Sequence, residues 1–278
     1  MMRCLCLSGG EGHGAYQVGV LKRLTEMGRS WDLIAGVSVG ALNGTLMAMY
    51  PPAQHKLAAQ ELEVFWSRIL GNPSVYKRWF PFGVLSALWK GGAYNTAPLR
   101  RLVETTFDSK KLAASGVKLR IGAVALGKSD YHYVTETASR LPDWIMASAA
   151  CPIIFPPVEI DGDRLEDGGV RDVTPVSDVL AEHPDEIDVI LTGPLDKDPP
   201  PMDPKKFKNV LQVGMRTVAI MSDEIFKNDL QKVPEKDRPK LHVYAPKDHL
   251  PYEAFDFNPA YLKMAIQLGY DEAGAVCV

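Results

Sequence analysis

Apolar positions in this chain come as short solid runs separated by longer stretches of helical period. Residues 4–7 form such a run and stop at a cluster of glycines, after which 15–27 carry apolar side chains at three- and four-residue spacing. That order predicts a buried strand feeding a helix. The unit repeats at once, with an apolar run over 31–35, its strand at 33–35, and a helix over 41–50. Alternation of this kind implies right-handed crossovers, and so a mostly parallel sheet covered by helices on both faces. The fold expected is a three-layer α/β sandwich.

Residues 53–70, 84–90 and 97–107 read as further helices, a long excursion before a strong strand at 117–126. The turn at 127–130 predicts a hairpin partner at 131–135. A short helix over 141–149 is stopped by Pro152, and strands 158–160 and 164–166 meet at Asp161-Gly162, a dipeptide suited to tight hairpins. Another buried strand falls at 187–191, and the proline-rich stretch 194–204 must be a surface loop. A long helical pattern over 205–230, a strand at 241–244 and a helix over 259–270 close the chain. One α/β domain is expected over 1–278, its motif-bearing core at about 5–182 and its remainder at 183–278.

Composition narrows the picture. The 278 residues are 46% apolar and 23% charged, enough for a large core, with a net charge of −3 and a pI near 6.1. No global basic field would draw the chain to nucleic acid or to an anionic bilayer, though local patches are not excluded. Cys4, Cys6, Cys151 and Cys277 show neither metal-ligand spacing nor a disulfide framework. Reduced thiols in a cytoplasmic protein are the simpler expectation, with Cys4 and Cys6 on one face of a core strand. The apolar run at the N-terminus is too short for a signal peptide, and no stretch has the ~18 apolar residues of a membrane span. No cofactor or metal is called for.

The chemistry is concentrated at two strand-to-helix turns. Ser38 stands in Gly36-Val37-Ser38-Val39-Gly40 between a strand and a helix, the layout of a nucleophile elbow. Glycines two before and two after the serine let backbone approach a turn that a β-carbon would block. The second turn, Gly9-Gly10-Glu11-Gly12-His13-Gly14, offers backbone N–H groups that could receive an oxyanion, those of Gly9, Gly10, Glu11 and Gly12. A serine hydroxyl is a weak nucleophile until a base accepts its proton. Among Asp161, Asp163, Glu166 and Asp167, the last ends a strand and precedes Gly168-Gly169, so it is the candidate base, against the alternative of a plain turn aspartate.

At this point the residues resemble the patatin-like phospholipases, from about Cys6 to Leu180. The resemblance rests on Leu7-Ser8-Gly9-Gly10, the run 14–21, the elbow GVSVGALNG, the segment ASAACPIIFPPV at 147–158, and Asp167-Gly168-Gly169 followed by Thr174-Pro175-Val176. It implies a serine–aspartate dyad without histidine, mapped onto Ser38 and Asp167, and phospholipid or lysophospholipid acyl esters as substrates. Two positions depart from the pattern: Glu11 stands where a third glycine is usual, and His13 where a basic Arg or Lys is usual. A carboxylate near an oxyanion opposes catalysis unless it points away or pairs with His13, which when protonated could replace the missing positive charge.

Between residues 65 and 90, Phe65, Trp66, Trp79, Phe80, Phe82 and Trp89 mix with Arg68, Lys77, Arg78 and Lys90. Such a mixture suits peripheral membrane contact or an acyl-chain entrance, the competing expectation being core packing with a solvated rim. Three other readings compete for the whole chain. Gly10-x-Gly12-x-x-Ala15 with Asp32 partly fits a dinucleotide fingerprint. His242 or His249 could complete a serine–aspartate–histidine triad. A catalytically silent binding scaffold is the third, made less remote by Glu11. His55, His132 and His183 are expected at the surface or in loops.

Overall fold

The computed structural model describes residues 1–80 and 86–273. Strands β1 (Arg3–Leu7), β2 (Leu33–Val37) and β3 (Lys118–Ala125) pair in parallel through β1–β2 and β2–β3. On the other side of β1 lies β7 (Glu186–Ile190) and beyond it β8 (Leu241–Tyr244), both parallel. The hairpin partner β4 (Asp130–Val134) and the pair β5 (Val158–Ile160) and β6 (Asp163–Asp167) extend the sheet antiparallel around β3. All five residues of β2 are buried, as a strand covered on both faces requires.

Alternation along β1 divides the two layers. Leu5 and Leu7 join Ile34 and Ile121 in a core beneath α1 (Gly14–Glu26), α2 (Val39–Ala48) and α3 (His55–Ser67). Cys4 and Cys6 face the other way, into a core with Val176, Val179, Phe226 and Leu230 from α8 (Val176–Leu180) and α9 (Val210–Gln231). Both thiols and that of Cys151 are free and buried, while Cys277 lies outside the described residues. α10 (Pro259–Asp271) closes over α1.

Between these elements run α4 (Ala87–Lys90), α5 (Ala97–Thr106), α6 (Ser109–Ser115) and α7 (Leu141–Ser148). The helix expected at 84–90 begins outside the described residues. His55 is corrected from surface to core: its imidazole accepts from the Trp31 N–H, bonds the Tyr50 carbonyl and stacks on the Trp31 ring. Burial pushes its pKa down to about 4, so it remains neutral there. No described helix is long and apolar enough to cross a membrane.

Candidate active site

The pairing of β3 brings the two candidate side chains together. β3 meets β2 over Lys118–Gly122 and β6 over Ala123–Ala125, so the last residues of those strands, Val37 and Asp167, face consecutive residues, Gly122 and Ala123. β4 pairs with residues 121–125, overlapping both stretches, so β2 and β6 lie end to end along the other edge of β3. Their C-terminal ends point at one another. Gly168 is required at this junction because a β-carbon would overlap the Gly122 carbonyl oxygen.

Ser38 follows β2 and opens α2 with φ 55° and ψ −124°, a conformation that costs a non-glycine residue on the order of 1–3 kcal/mol. Packing enforces it: β-carbons at Gly36 and Gly40 would overlap the Gly40 and Leu7 carbonyls, respectively. The Ser38 N–H donates to Ser148 Oγ at 2.9 Å, which fixes the turn from the α7 side. The hydroxyl is then turned toward Asp167, within side-chain hydrogen-bonding reach.

Asp167 is buried, and its Oδ1 also accepts from the Gly169 N–H at 2.8 Å. Burial raises its pKa to about 7, against the lowering effect of Ser38 and Gly169, and the nearby carboxylates of Glu11 and Glu166 push it further up. The carboxylate is therefore a much stronger base than an exposed aspartate. Of its acidic neighbours in sequence, Asp163 pairs with Lys128 at 2.8 Å, and Asp161 occupies the hairpin turn with φ 51°.

The glycine loop supplies donors, but not all of those expected. The Gly9 N–H is committed to the Val173 carbonyl at 3.0 Å and the Gly12 N–H to the Ala254 carbonyl at 2.8 Å. Among the described residues, the N–H groups of Gly10 and Glu11, and of Val39 and Gly40 at the start of α2, have no such partner. Glu11 takes φ 49° where glycine would be unstrained; the residue is half-buried on the wall of the large cavity and makes no ion pair with His13 among the described residues. It lies beside the Cys151 thiol, and burial raises its pKa to about 7 while that thiol's hydrogen bond pulls it back. His13 donates instead to the Tyr252 carbonyl at 3.0 Å, edge-on to the Tyr252 ring, and burial lowers its pKa. The expected substitute cation is thus disfavoured by desolvation. Gly14 makes room for Val39.

Two cavities open on Ser38. The larger, about 1060 Å³, exceeds the ~300–1,000 Å³ of ordinary small-molecule sites and runs past Thr192, Phe207, Met215 and Phe226. The smaller, about 40 Å³, has Glu11 and Ser38 at its mouth and apolar walls of Phe65, Trp66, Leu99, Phe155 and Phe257. The aromatic stretch 65–90 therefore divides. Phe65 and Trp66 are core residues of this narrow pocket, whereas Phe80 and Trp89 face solvent and Lys90 covers the Trp79 ring at 5.7 Å. Phe82 lies outside the described residues.

Several supporting side chains carry no sequence motif of their own. Gln17, buried, donates to the Ser8 carbonyl at 2.8 Å and accepts from Asn43, whose other amide atom accepts from the Trp66 indole. This relay locks the two glycine turns to each other. Thr192 donates to the Gly9 carbonyl, and Asp229 accepts from the Val173 and Thr174 N–H groups at 2.8 and 3.0 Å. Ser148 and Gln17 fall inside the segments that carry the family resemblance, which was the available signal for them; Thr192 and Asp229 had none.

Competing constellations do not assemble. Asp32 sits at the start of β2, accepting from the Arg3 N–H, at the opposite end of the strands from the glycine loop. His242 lies on β8 opposite Asp188, and His249 lines the large cavity but is engaged with the Asp198 carbonyl. No group of three or more His, Cys, Asp or Glu side chains suited to a metal occurs among the described residues.

A model of the family described as patatin-like phospholipase matches residues 5–180, and the chain belongs to that family. It is similar to the lysophospholipase nte1 of Aspergillus terreus, 26% identical over 206 residues that make up 70% of this chain and 12% of that protein. It is also similar to the cGAMP-activated phospholipase of Pseudomonas aeruginosa, 29% identical over 180 residues, or 60% of this chain and 52% of that one. The chain thus spans a small part of the fungal relative and about half of the bacterial one. Among solved structures, VipD from Legionella pneumophila aligns with 98% of this chain and 66% of its own at 11% identity and a TM-score of 0.47.

Proposed function

We propose that the protein is a carboxylic-ester hydrolase that cleaves fatty-acyl esters of phospholipids or lysophospholipids through an acyl-enzyme on Ser38. The observation that carries this reading is the meeting of Ser38 with a buried, unusually basic Asp167 beside unpaired backbone donors. Asp167 accepts the hydroxyl proton as Ser38 Oγ attacks the acyl carbonyl carbon. The N–H groups of Gly10 and Glu11, with that of Val39, stabilise the tetrahedral oxyanion at the positive end of α2. Asp167 then returns the proton to the departing alcohol oxygen, and water, deprotonated by the same carboxylate, releases the fatty acid. Membrane contact through exposed Phe80 and Trp89 belongs to the same proposal.

One observation favours a second reading, a silent lipid-binding scaffold: the Glu11 carboxyl stands inside the oxyanion loop on a strained backbone. A single experiment separates the two. The intact protein should react with a fluorophosphonate probe and release fatty acid from a panel of phospholipids and lysophospholipids, and Ser38→Ala should lose ~10³-fold or more of that activity. Absence of labelling together with equal lipid turnover by both proteins would sink the hydrolase reading.

A further inference from the structure

The least covered surface near the cavity is the first half of α9. The buried residues of that helix are Phe226, Asp229 and Leu230, all near its C-terminal end. Upstream, Val210 is 91% exposed, and Val213, Ile220 and Met221 are about half exposed, at 49%, 53% and 56%. At 100° per residue these four positions fall within an arc of roughly 100° on one face. Thr217 shares the face but turns its hydroxyl back onto the Val213 carbonyl at 3.0 Å. The result is a continuous apolar stripe about three turns long, of a kind that monomeric surfaces rarely leave open.

Charge beside the stripe identifies what would cover it. Lys205, Lys206 and Lys208 precede the helix and Arg216 lies on it, and among the described residues none of the four enters an ion pair. Lys227, farther along the same helix, by contrast is held by Asp223 and Asp198. The acidic residue just before them, Asp203, caps the turn by accepting from the Lys205 N–H at 2.9 Å and pairs with none of the four. An apolar stripe edged by unpaired cations complements an anionic lipid surface, even though the chain as a whole carries a net charge of −3. The same segment also forms a wall of the cavity that reaches Ser38, through Lys206, Phe207, Met215, Arg216 and Met221.

We propose that residues 205–221 dock the protein onto a bilayer containing anionic phospholipid, with the four cations against head-group phosphates and the Val210, Val213, Ile220 and Met221 stripe in the interface. This rests on the lipid-hydrolase reading for its purpose, but its test does not depend on turnover. Flotation of the Ser38→Ala protein with vesicles of phosphatidylcholine, alone or with roughly one-third phosphatidylglycerol, measures binding without hydrolysis. Binding should be ~10-fold or more tighter to the anionic vesicles and should weaken with added salt. Lys205→Gln, Lys206→Gln and Lys208→Gln together should remove that preference. Val210→Ser, Val213→Ser and Ile220→Ser, none of which lines the cavity, should weaken binding to both vesicle types. In the active protein those three serines should leave hydrolysis of a short soluble ester unchanged, showing that the fold is intact. Binding by either triple variant equal to that of its parent would overturn the proposal. So would a shift from dimer to monomer in the serine variant with vesicle binding unaltered, because the stripe would then belong to a second copy of the chain. Failure of the hydrolase reading would appear elsewhere, as ester turnover independent of Ser38.

Discussion

Glu11 and Asp167 are both raised to about 7 mainly by burial, and the Glu11 carboxylate pushes Asp167 further up. In the proposed mechanism the productive form has Asp167 ionised and Glu11 neutral. A carboxylate at Glu11 would oppose the oxyanion, so activity should rise and then fall with pH around neutrality. Glu11→Gln removes both effects. The acidic limb should move to lower pH by ~0.5–1 unit and the alkaline limb should disappear, as read from kcat/KM for a soluble ester between pH 5 and 9; an unchanged profile would show that Glu11 does not act on the dyad. Asp167 also trades stability for basicity. Its folded pKa lies above the unfolded value near 3.9, so its contribution to stability is fully present below that pH and is lost as pH rises through about 7. Asp167→Asn should abolish hydrolysis yet raise stability at pH 8 by on the order of 1–3 kcal/mol, with little gain at pH 4, measured by urea denaturation.

At the scale of elements, the contact between α1 and α10 makes a sharp test of packing. A β-carbon at Gly269 would overlap the Tyr16 carbonyl oxygen, and one at Gly19 the Ile266 carbonyl oxygen, so the two helices touch backbone to backbone. Alanine in a helix interior ordinarily gains ~0.5–1 kcal/mol over glycine, but overpacking costs ~1–3 kcal/mol. Gly269→Ala should therefore lower Tm by several degrees; a rise in Tm would mean that the helices can separate freely. Neither glycine was legible as a contact, because one sequence shows that glycine is present and not which distant backbone needs its space. What periodicity could show was local. Strand 241–244 and the hairpin at Asp161-Gly162 stand where apolar runs and turn chemistry put them, and the long helix over 205–230 begins only at Val210, where Asn209 accepts from the Gln212 N–H and caps it. The five-residue α8 was missed because Thr174-Pro175 reads as loop and one turn has too few residues to show a period. At the site, Ser38 and Asp167 could be named from their own turns, yet the occupied Gly9 and Gly12 donors could not. Their partners, Val173 and Ala254, contribute only carbonyls, which every residue type possesses.

The whole molecule makes the C-terminal third part of the candidate site, although the family match ends at residue 180. Ala254 and Tyr252 hold Gly12 and His13, Thr192 holds Gly9, and Asp229 holds the Val173–Thr174 backbone just beyond Asp167. Every one of these partners lies after residue 182. So do β7 and β8, and without β7 the full length of β1 would become an open edge, with the core around Cys6 and Ala35 losing Phe226 and Leu230 and keeping only α8. α10 would also leave Tyr16 and Val20 on α1 uncovered. A chain of residues 1–182 is accordingly expected to lack cooperative thermal unfolding, to aggregate through its exposed strand edge and to show no fluorophosphonate labelling at Ser38. Circular dichroism melts and probe labelling measured side by side test this. A truncated chain that melted cooperatively but failed to label would leave the fold independent of the last third and assign residues 183–278 to the site alone. A chain that both melted and labelled like the intact protein would show that the glycine loop and the Asp167 turn hold their geometry without the bonds described above, and the account of how this site is built would have to be abandoned.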